Sequence, residues 1–261
     1  MRYSELAEIA ARVSGNILLS NLGKVKKIEH KSKHNLVTEI DNQSEKSIID
    51  IIKRYYPKHS IFAEESGKDE HESDFQWIID PLDGTTNYAH SYPFFCISIA
   101  FSINSELVVG VVYDPVKDEM FKAERGRGAF LNDNEISVSK ARSLNESNVS
   151  TGFLHDEEWM IDENLIHFSN FIKRTRAVRR DGSAALDLCY VACGRFDGFW
   201  EIGLNPWDTS AGYLIVVEAG GKVTNFNGDL FDINEKEILA SNSILHSQMV
   251  DTLSLLKNST S

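Results

Sequence analysis

The 261-residue chain is predicted to adopt a layered fold, an α+β half followed by an α/β half. Three features of its pattern predict this. Two stretches with helical periodicity open the chain. A crowd of short apolar, β-branched runs separated by turn residues then fills residues 60–139. Beyond residue 140 strand-like and helix-like segments alternate, the signature of an α/β arrangement. No repeat or low-complexity linker separates the two parts, so 1–140 and 141–261 are expected to pack as one unit.

The elements follow in order. Residues 3–22 carry Leu6, Ile9, Val13 and Ile17 at helical spacing, and these define the expected buried face. The polar stretch KIEHKSKHN reads as a mobile loop or a hairpin. Thr38-Glu39-Ile40-Asp41 has the form of a capping box, predicting a helix from about residue 39 to 56, stopped by Pro57. Strands are expected at 60–64, 76–80, 95–103, 107–113, 120–124 and 136–139, with turns at Asp114-Pro115 and Gly126-Arg127-Gly128. In the second half, strands are placed near 148–152, 176–179, 198–201, 222–224 and 237–240. Helices are placed near 157–173, 184–193, 206–219 and 244–256.

Composition narrows the function. Hydrophobic residues make up 42% and charged residues 25%, which supports a packed core. The formal net charge is −12, and the basic pieces KVKK and RTRAVRR are short, so nucleic-acid binding is not expected. Three cysteines, Cys96, Cys189 and Cys193, are too few and too odd in number for a disulfide framework, and they point to a reducing compartment. The amphipathic N-terminus is too polar for a signal peptide, and no apolar run is long enough to span a bilayer. A soluble, cytoplasmic protein is expected. The eight histidines are scattered without H-E-x-x-H, which argues against zinc, and no G-x-S-x-G occurs.

Chemistry concentrates in acidic positions at strand ends. Glu64 and Glu65 close the run FAEES, and Asp80 and Asp83 close WIIDPLD. Strand ends are where ligands gather in α/β sheets. Four carboxylates on one sheet edge repel unless cations lie between them, and all-oxygen donors select hard ions such as Mg²⁺ or Mn²⁺. Pro81 favours a tight turn able to present Asp80, the Leu82 carbonyl and Asp83 to one volume, and Gly84 permits close backbone approach. If Thr85 and Thr86 open a helix, their free amides can bind an anion. Metal ligands beside an anion-binding helix start describe a metal-assisted phosphatase. Farther on, NPWDTSAG places Asn205 as a cap, Pro206 at the first helical position and Asp208 in the first turn, a position the helix dipole alone would explain. The D-x-x-D-G-T spacing differs from the D-x-D-G-T of phosphatases with a nucleophilic aspartate, so no phosphoaspartyl intermediate is expected.

FAEES, DPLDGTTNY with PFFCISIA behind it, GSAALDLCYVACGRFDGFWE, PWDTSAG and EAGG together resemble the inositol monophosphatase family of lithium-sensitive, magnesium-dependent phosphatases, over essentially the whole chain. The resemblance implies a five-layer αβαβα sandwich of the inositol monophosphatase/fructose-1,6-bisphosphatase type. It implies that Glu64, Asp80 and the Leu82 carbonyl hold one Mg²⁺ and that Asp80, Asp83 and Asp208 hold a second, with Glu64 also serving a weaker third. It further implies that Glu64 and Thr85 orient the attacking water, that Asp41 orients Thr85, and that the Gly84, Thr85 and Thr86 amides hold phosphate. Lys31 would lie near the phosphate, Glu65 would be supportive, and substrate hydroxyls would meet Asp83, Ala184 and Glu201. Lys33 and His34 stand where family loops vary. Inositol monophosphate is the leading substrate, with fructose 1,6-bisphosphate the main rival, NADP and adenosine bisphosphate less favoured, and a non-catalytic binding protein a remote alternative. A homodimer is implied by the family alone.

Overall fold

The computed structural model describes residues 1–24, 28–30, 36–69, 73–154 and 157–255, with only the backbone described for Ile28–His30 and Leu36–Thr38. Seven α-helices lie among them: α1 (Tyr3–Asn21), α2 (Glu39–Tyr55), α3 (Thr85–Ala89), α4 (Glu158–Ile172), α5 (Ala184–Ala192), α6 (Pro206–Glu218) and α7 (His246–Ser254). The strands are β1 (Ile28–His30), β2 (Leu36–Thr38), β3 (Ser60–Ala63), β4 (Gly67–Lys68), β5 (Phe75–Asp83), β6 (Cys96–Ile103), β7 (Glu106–Asp114), β8 (Glu119–Glu124), β9 (Ala129–Leu131), β10 (Asn134–Ile136), β11 (Asn148–Thr151), β12 (Ala177–Arg179), β13 (Gly198–Ile202), β14 (Lys222–Thr224) and β15 (Glu237–Ser241).

Strands β1 and β2 form a small antiparallel ribbon, where a loop or hairpin was expected. The first large sheet has the order β10-β9-β8-β7-β6-β5-β3-β4, antiparallel except for the β3–β5 pair. The second has the order β12-β11-β13-β15-β14, with β11 parallel to both its neighbours. Three apolar clusters divide the molecule into five layers. Leu6, Ile48 and Ile52 of α1 and α2 pack on Trp77, Ile79 and Ile99 of the first sheet. The other face of that sheet, with Ile78 and Val112, packs on α5 and α6, which in turn cover Phe199 and Ala240 of the second sheet. Val149, Trp200 and Leu239 on the far side meet Phe171 of α4 and Met249 of α7. The order is αβαβα, as expected.

Several local expectations are corrected. The buried residues of α1 are Ser4, Leu6, Ala7, Ala10, Ala11, Ser14, Gly15 and Leu18, with Ile17 partly buried against the core, while Ile9 and Val13 are exposed. Small residues let α1 approach the sheet and α2 closely, a stripe that counting only large apolar residues misses. The strand expected at 136–139 is not formed beyond Ile136: the chain makes the hairpin β9–β10 just before it, turned at Asn132 and Asp133, both with left-handed φ (47° and 65°). Asn and Asp tolerate that conformation, as two-residue hairpin turns require. Gly126-Arg127-Gly128 is a turn, and its Gly126 and Gly128 amides donate to the Glu218 carboxylate of α6.

The stretch Asp80-Pro81-Leu82-Asp83 is also corrected. It is the bulged end of β5, not a turn beyond the strand. Asp80 pairs with Ser98 and Asp83 with Cys96, so three steps on β5 oppose two on β6. Pro81 has no amide to give to the ladder, and the bulge absorbs that loss. In an uninterrupted strand, residues three apart point to opposite faces. Here both aspartates pair with residues two apart and so share one face.

Candidate active site

A cleft of about 180 Å³ opens where β5, the end of β3, α3, α5, β13 and α6 meet. Glu64, Asp80, Leu82, Asp83, Gly84, Thr85, Thr86, Ala184, Glu201 and Asp208 all line it. Ten positions singled out from four separate sequence segments are therefore brought to one wall. Asp41 stands behind that wall, buried, accepting a hydrogen bond from Thr85 Oγ1 at 3.2 Å. Lys31, Lys33 and His34 lie outside the described residues. Glu65 is not in the lining; its amide is held from α2.

Each acid is placed by its backbone. The Glu64 amide donates to the Ile79 carbonyl at 3.1 Å, fastening the end of β3 to β5. Asp80 accepts from the Leu82 amide at 2.9 Å within the bulge. Asp83 Oδ2 accepts from Ser183 Oγ at 2.6 Å and the Ala185 amide at 2.8 Å, so this oxygen is committed to the start of α5. Asp208 accepts from the Asn205 amide at 2.7 Å, closing the first turn of α6. Gly84 follows with φ 96°, and a Cβ there would meet the Phe94 carbonyl at 3.0 Å, so only glycine admits this turn. Thr85 and Thr86 do open a helix, the short α3. Asn87 Nδ2 ties α3 to the Asp181 carbonyl ahead of α5 at 2.8 Å.

The charges are mutually unfavourable. Asp80 is held well above the ordinary carboxylate range, first by burial and then by Glu64, Asp83 and Asp208. Asp83 is raised to about 6 by burial, moderated by the hydrogen bonds from Ser183 and Ala185. Asp208 is raised well above its usual value by burial, Asp83 and Glu64. Glu201 is raised to about 8 by burial, with Asp208 and Asp83 adding to it and Arg180 opposing. Among the described residues, no group of three or more acidic, His or Cys side chains is arranged so that it could hold a metal ion as it stands. What the cleft holds is a set of hard oxygen donors that burial and mutual repulsion make receptive to positive charge. That donor set fits a divalent cation of the Mg²⁺ type.

Other residues in the lining went unremarked in the sequence. Ser183 anchors Asp83, and its own signal was its place as the N-cap of α5. Gly152 faces Glu201 so closely that a Cβ there would overlap its carboxylate. Arg180, on the segment leading to α5, brings a guanidinium to the cleft. Its run RTRAVRR reads as an ordinary solvated basic stretch, which hid it.

The family model described as "Inositol monophosphatase family" matches residues 2–257. Among curated relatives, an inositol-1-monophosphatase from Synechocystis is 46% identical over 96% of this chain and 88% of its own length. A Nus factor SuhB from Pasteurella multocida is 46% identical over 84% of this chain and 83% of its own. Among solved structures, the inositol monophosphatase of Anabaena superposes with a TM-score of 0.89 at 43% identity, covering 97% of this chain and 95% of that one. SaIMPase-II bound to inositol monophosphate superposes with a TM-score of 0.81 at 25% identity, covering 99% of this chain and 96% of that one.

Proposed function

The chain belongs to the inositol monophosphatase family, whose members are phosphatases, and on that premise we propose that it is a Mg²⁺-dependent phosphomonoesterase hydrolysing myo-inositol monophosphate to inositol and phosphate. The convergence of Glu64, Asp80, Asp83 and Asp208 in one cleft, beside the start of α3, carries this reading. Glu64, Asp80 and the Leu82 carbonyl would hold one ion; Asp80, Asp83 and Asp208 would hold a second; Mn²⁺ can substitute. When bound, such ions stabilise charge on phosphoryl and leaving oxygens and make water more acidic.

The chain's own residues would do the rest. Thr85 Oγ1 lies 3.2 Å from Asp41 Oδ1 and 3.1 Å from the Leu82 carbonyl. A hydroxyl has one proton, and giving it to Asp41 leaves the Thr85 lone pairs to accept from the attacking water. Glu64 would accept a hydrogen bond from that water's other O–H and so help orient it for in-line attack on the phosphorus. The Gly84, Thr85 and Thr86 amides hold phosphate oxygens. Ser183 and Ala185 occupy one oxygen of Asp83, leaving the other for the ion and a substrate hydroxyl. Glu201 and the start of α5 at Ala184 take further polyol hydroxyls. The inositol-monophosphate-bound neighbour supports inositol monophosphate as the first substrate to test.

The test is phosphate release with and without Mg²⁺ from inositol monophosphate, fructose 1,6-bisphosphate, NADP and adenosine bisphosphate, ranked by kcat/KM. A nucleotide preference would overturn the ranking, and no release from any would overturn the activity. Glu64→Gln should collapse kcat with the fold intact. Lithium inhibition, a homodimer visible by light scattering and a cytoplasmic location belong to the same reading. The structure has no helix long and apolar enough to cross a membrane among the described residues. A second reading follows from the relatives called Nus factor SuhB: that the chain serves as such a factor through binding rather than turnover. Glu64→Gln separates the two, because a binding role would survive it.

A further inference from the structure

Helix α2 meets the candidate site at three places, and all three lie on one of its faces. Asp41, Ser44 and Glu45 stand at positions i, i+3 and i+4, which share a side of an α-helix. Asp41 receives the Thr85 hydroxyl at 3.2 Å. Ser44 Oγ donates to the Pro81 carbonyl, inside the bulge between Asp80 and Asp83, at 2.7 Å. Glu45 takes the Glu65 amide on Oε2 at 2.8 Å and the Ser66 amide on Oε1 at 2.9 Å. Its residue is only 4% exposed, and among the described residues no ion pair is formed with it. A buried carboxylate is retained where it satisfies donors that nothing else reaches, and here both oxygens are spent on two consecutive amides.

Those amides immediately follow Glu64. Glu64 is thus clamped from both sides, its own amide on the Ile79 carbonyl and the next two on Glu45. We propose that Glu45 is a positioning residue for divalent-ion binding: by gripping the Glu65 and Ser66 amides it aims the Glu64 carboxylate into the cleft, in register with the bulge that Ser44 holds. The proposal rests on the phosphatase reading for the role of Glu64. It goes beyond that reading by placing the control of Glu64 on a helix that contributes no side chain of its own to the cleft lining. Partners behind metal ligands typically change metal affinity by about 10–100-fold when removed.

Glu45→Gln is the discriminating variant. It keeps the shape, but a carboxamide has one acceptor oxygen and one donor group, so one of the two amides is left facing a donor. Mn²⁺ titration by calorimetry without substrate, and hydrogen exchange at the Glu65 and Ser66 amides, are compared for wild type, Glu45→Gln and Glu64→Gln. Glu45→Gln should weaken Mn²⁺ binding about tenfold or more and speed exchange at those two amides. Saturating Mg²⁺ should restore most of its kcat, whereas Glu64→Gln should stay inactive. If Glu64→Gln weakens binding while Glu45→Gln stays within twofold of wild type, the positioning role is overturned and the phosphatase reading stands. A wild-type chain that takes up no Mn²⁺ overturns both. Should Glu45→Gln not fold, Glu45→Asp carries the same comparison, because its shorter arm cannot hold both amides.

Discussion

Glu201 shows how much a single residue's surroundings decide. It closes β13 as an acid at a strand end, unremarkable in sequence, yet it is only 6% exposed and shares its surroundings with Asp208 and Asp83. Its folded carboxyl keeps a proton up to about pH 8, against an ordinary value of 4.5. A raised carboxyl favours folding below the unfolded value, and that contribution is lost as pH rises through the folded value. The Tm of the metal-free protein should therefore fall between pH 6.5 and 8.5, less steeply in Glu201→Gln; parallel slopes for the two would refute the assignment. Gly152 leaves the space that Glu201 fills. Gly152→Ala should push that carboxylate aside and raise KM for a polyol phosphate severalfold with Mg²⁺ affinity unchanged, and a KM equal to wild type would contradict this. Ser183, Ser44 and Glu45 belong to the same scale: small or charged residues whose value lies in one or two hydrogen bonds that no motif advertises.

Among the elements, the bulged end of β5 and the start of α6 matter most. The bulge turns two aspartates to one face, and α6 delivers Asp208 to the same cleft from the far half of the chain. Helix α6 reaches that position because it is pressed into the centre of the molecule, with Gly212 against Leu188 of α5. A Cβ at Gly212 would stand 2.6 Å from Leu188 Cδ1. Gly212→Val should destabilise the protein by about 1–3 kcal/mol, the usual result of overpacking, and should raise the Mg²⁺ requirement as α6 shifts. Denaturant unfolding checks the first part and an activity titration the second; normal values for both would show that α6 is not held by this contact. Asp208→Asn should raise the Mg²⁺ requirement while stabilising the metal-free protein, since one of the mutually repelling carboxyls is gone. A lowered metal-free Tm would mean that repulsion is not what Asp208 contributes.

On the scale of the whole molecule, the site is a meeting of layers. The first sheet supplies Glu64, Asp80 and Asp83, the second sheet Glu201, and the helices between them Asp208 and Ala184. Bringing like charges together costs stability that a bound cation returns. At 100 times its Kd, an ion that binds only the folded state stabilises by about 2.7 kcal/mol. For a chain of this size that corresponds to roughly 5–10 °C in Tm. Mg²⁺ should produce such a rise and Na⁺ at equal ionic strength should not; equal responses would reduce the effect to screening. Nearly every long helix and strand was legible from periodicity, because burial of one face imposes its spacing on the chain, whereas the order of the five layers followed from the resemblance of the motifs. The acids were legible because motifs keep their neighbours close in sequence. The bulge, the small-residue face of α1, the β9–β10 hairpin and the grip of α2 on the Glu64 loop were not, because each depends on what another segment places opposite. By itself, then, the amino-acid order determined which residues are acidic, apolar or turn-forming and how often they recur. Only the folded chain decided which carboxylates face one another and which amides hold them, since hydrogen bonds and Coulomb forces act across space between residues that may be a hundred positions apart, such as Asp83 and Ser183.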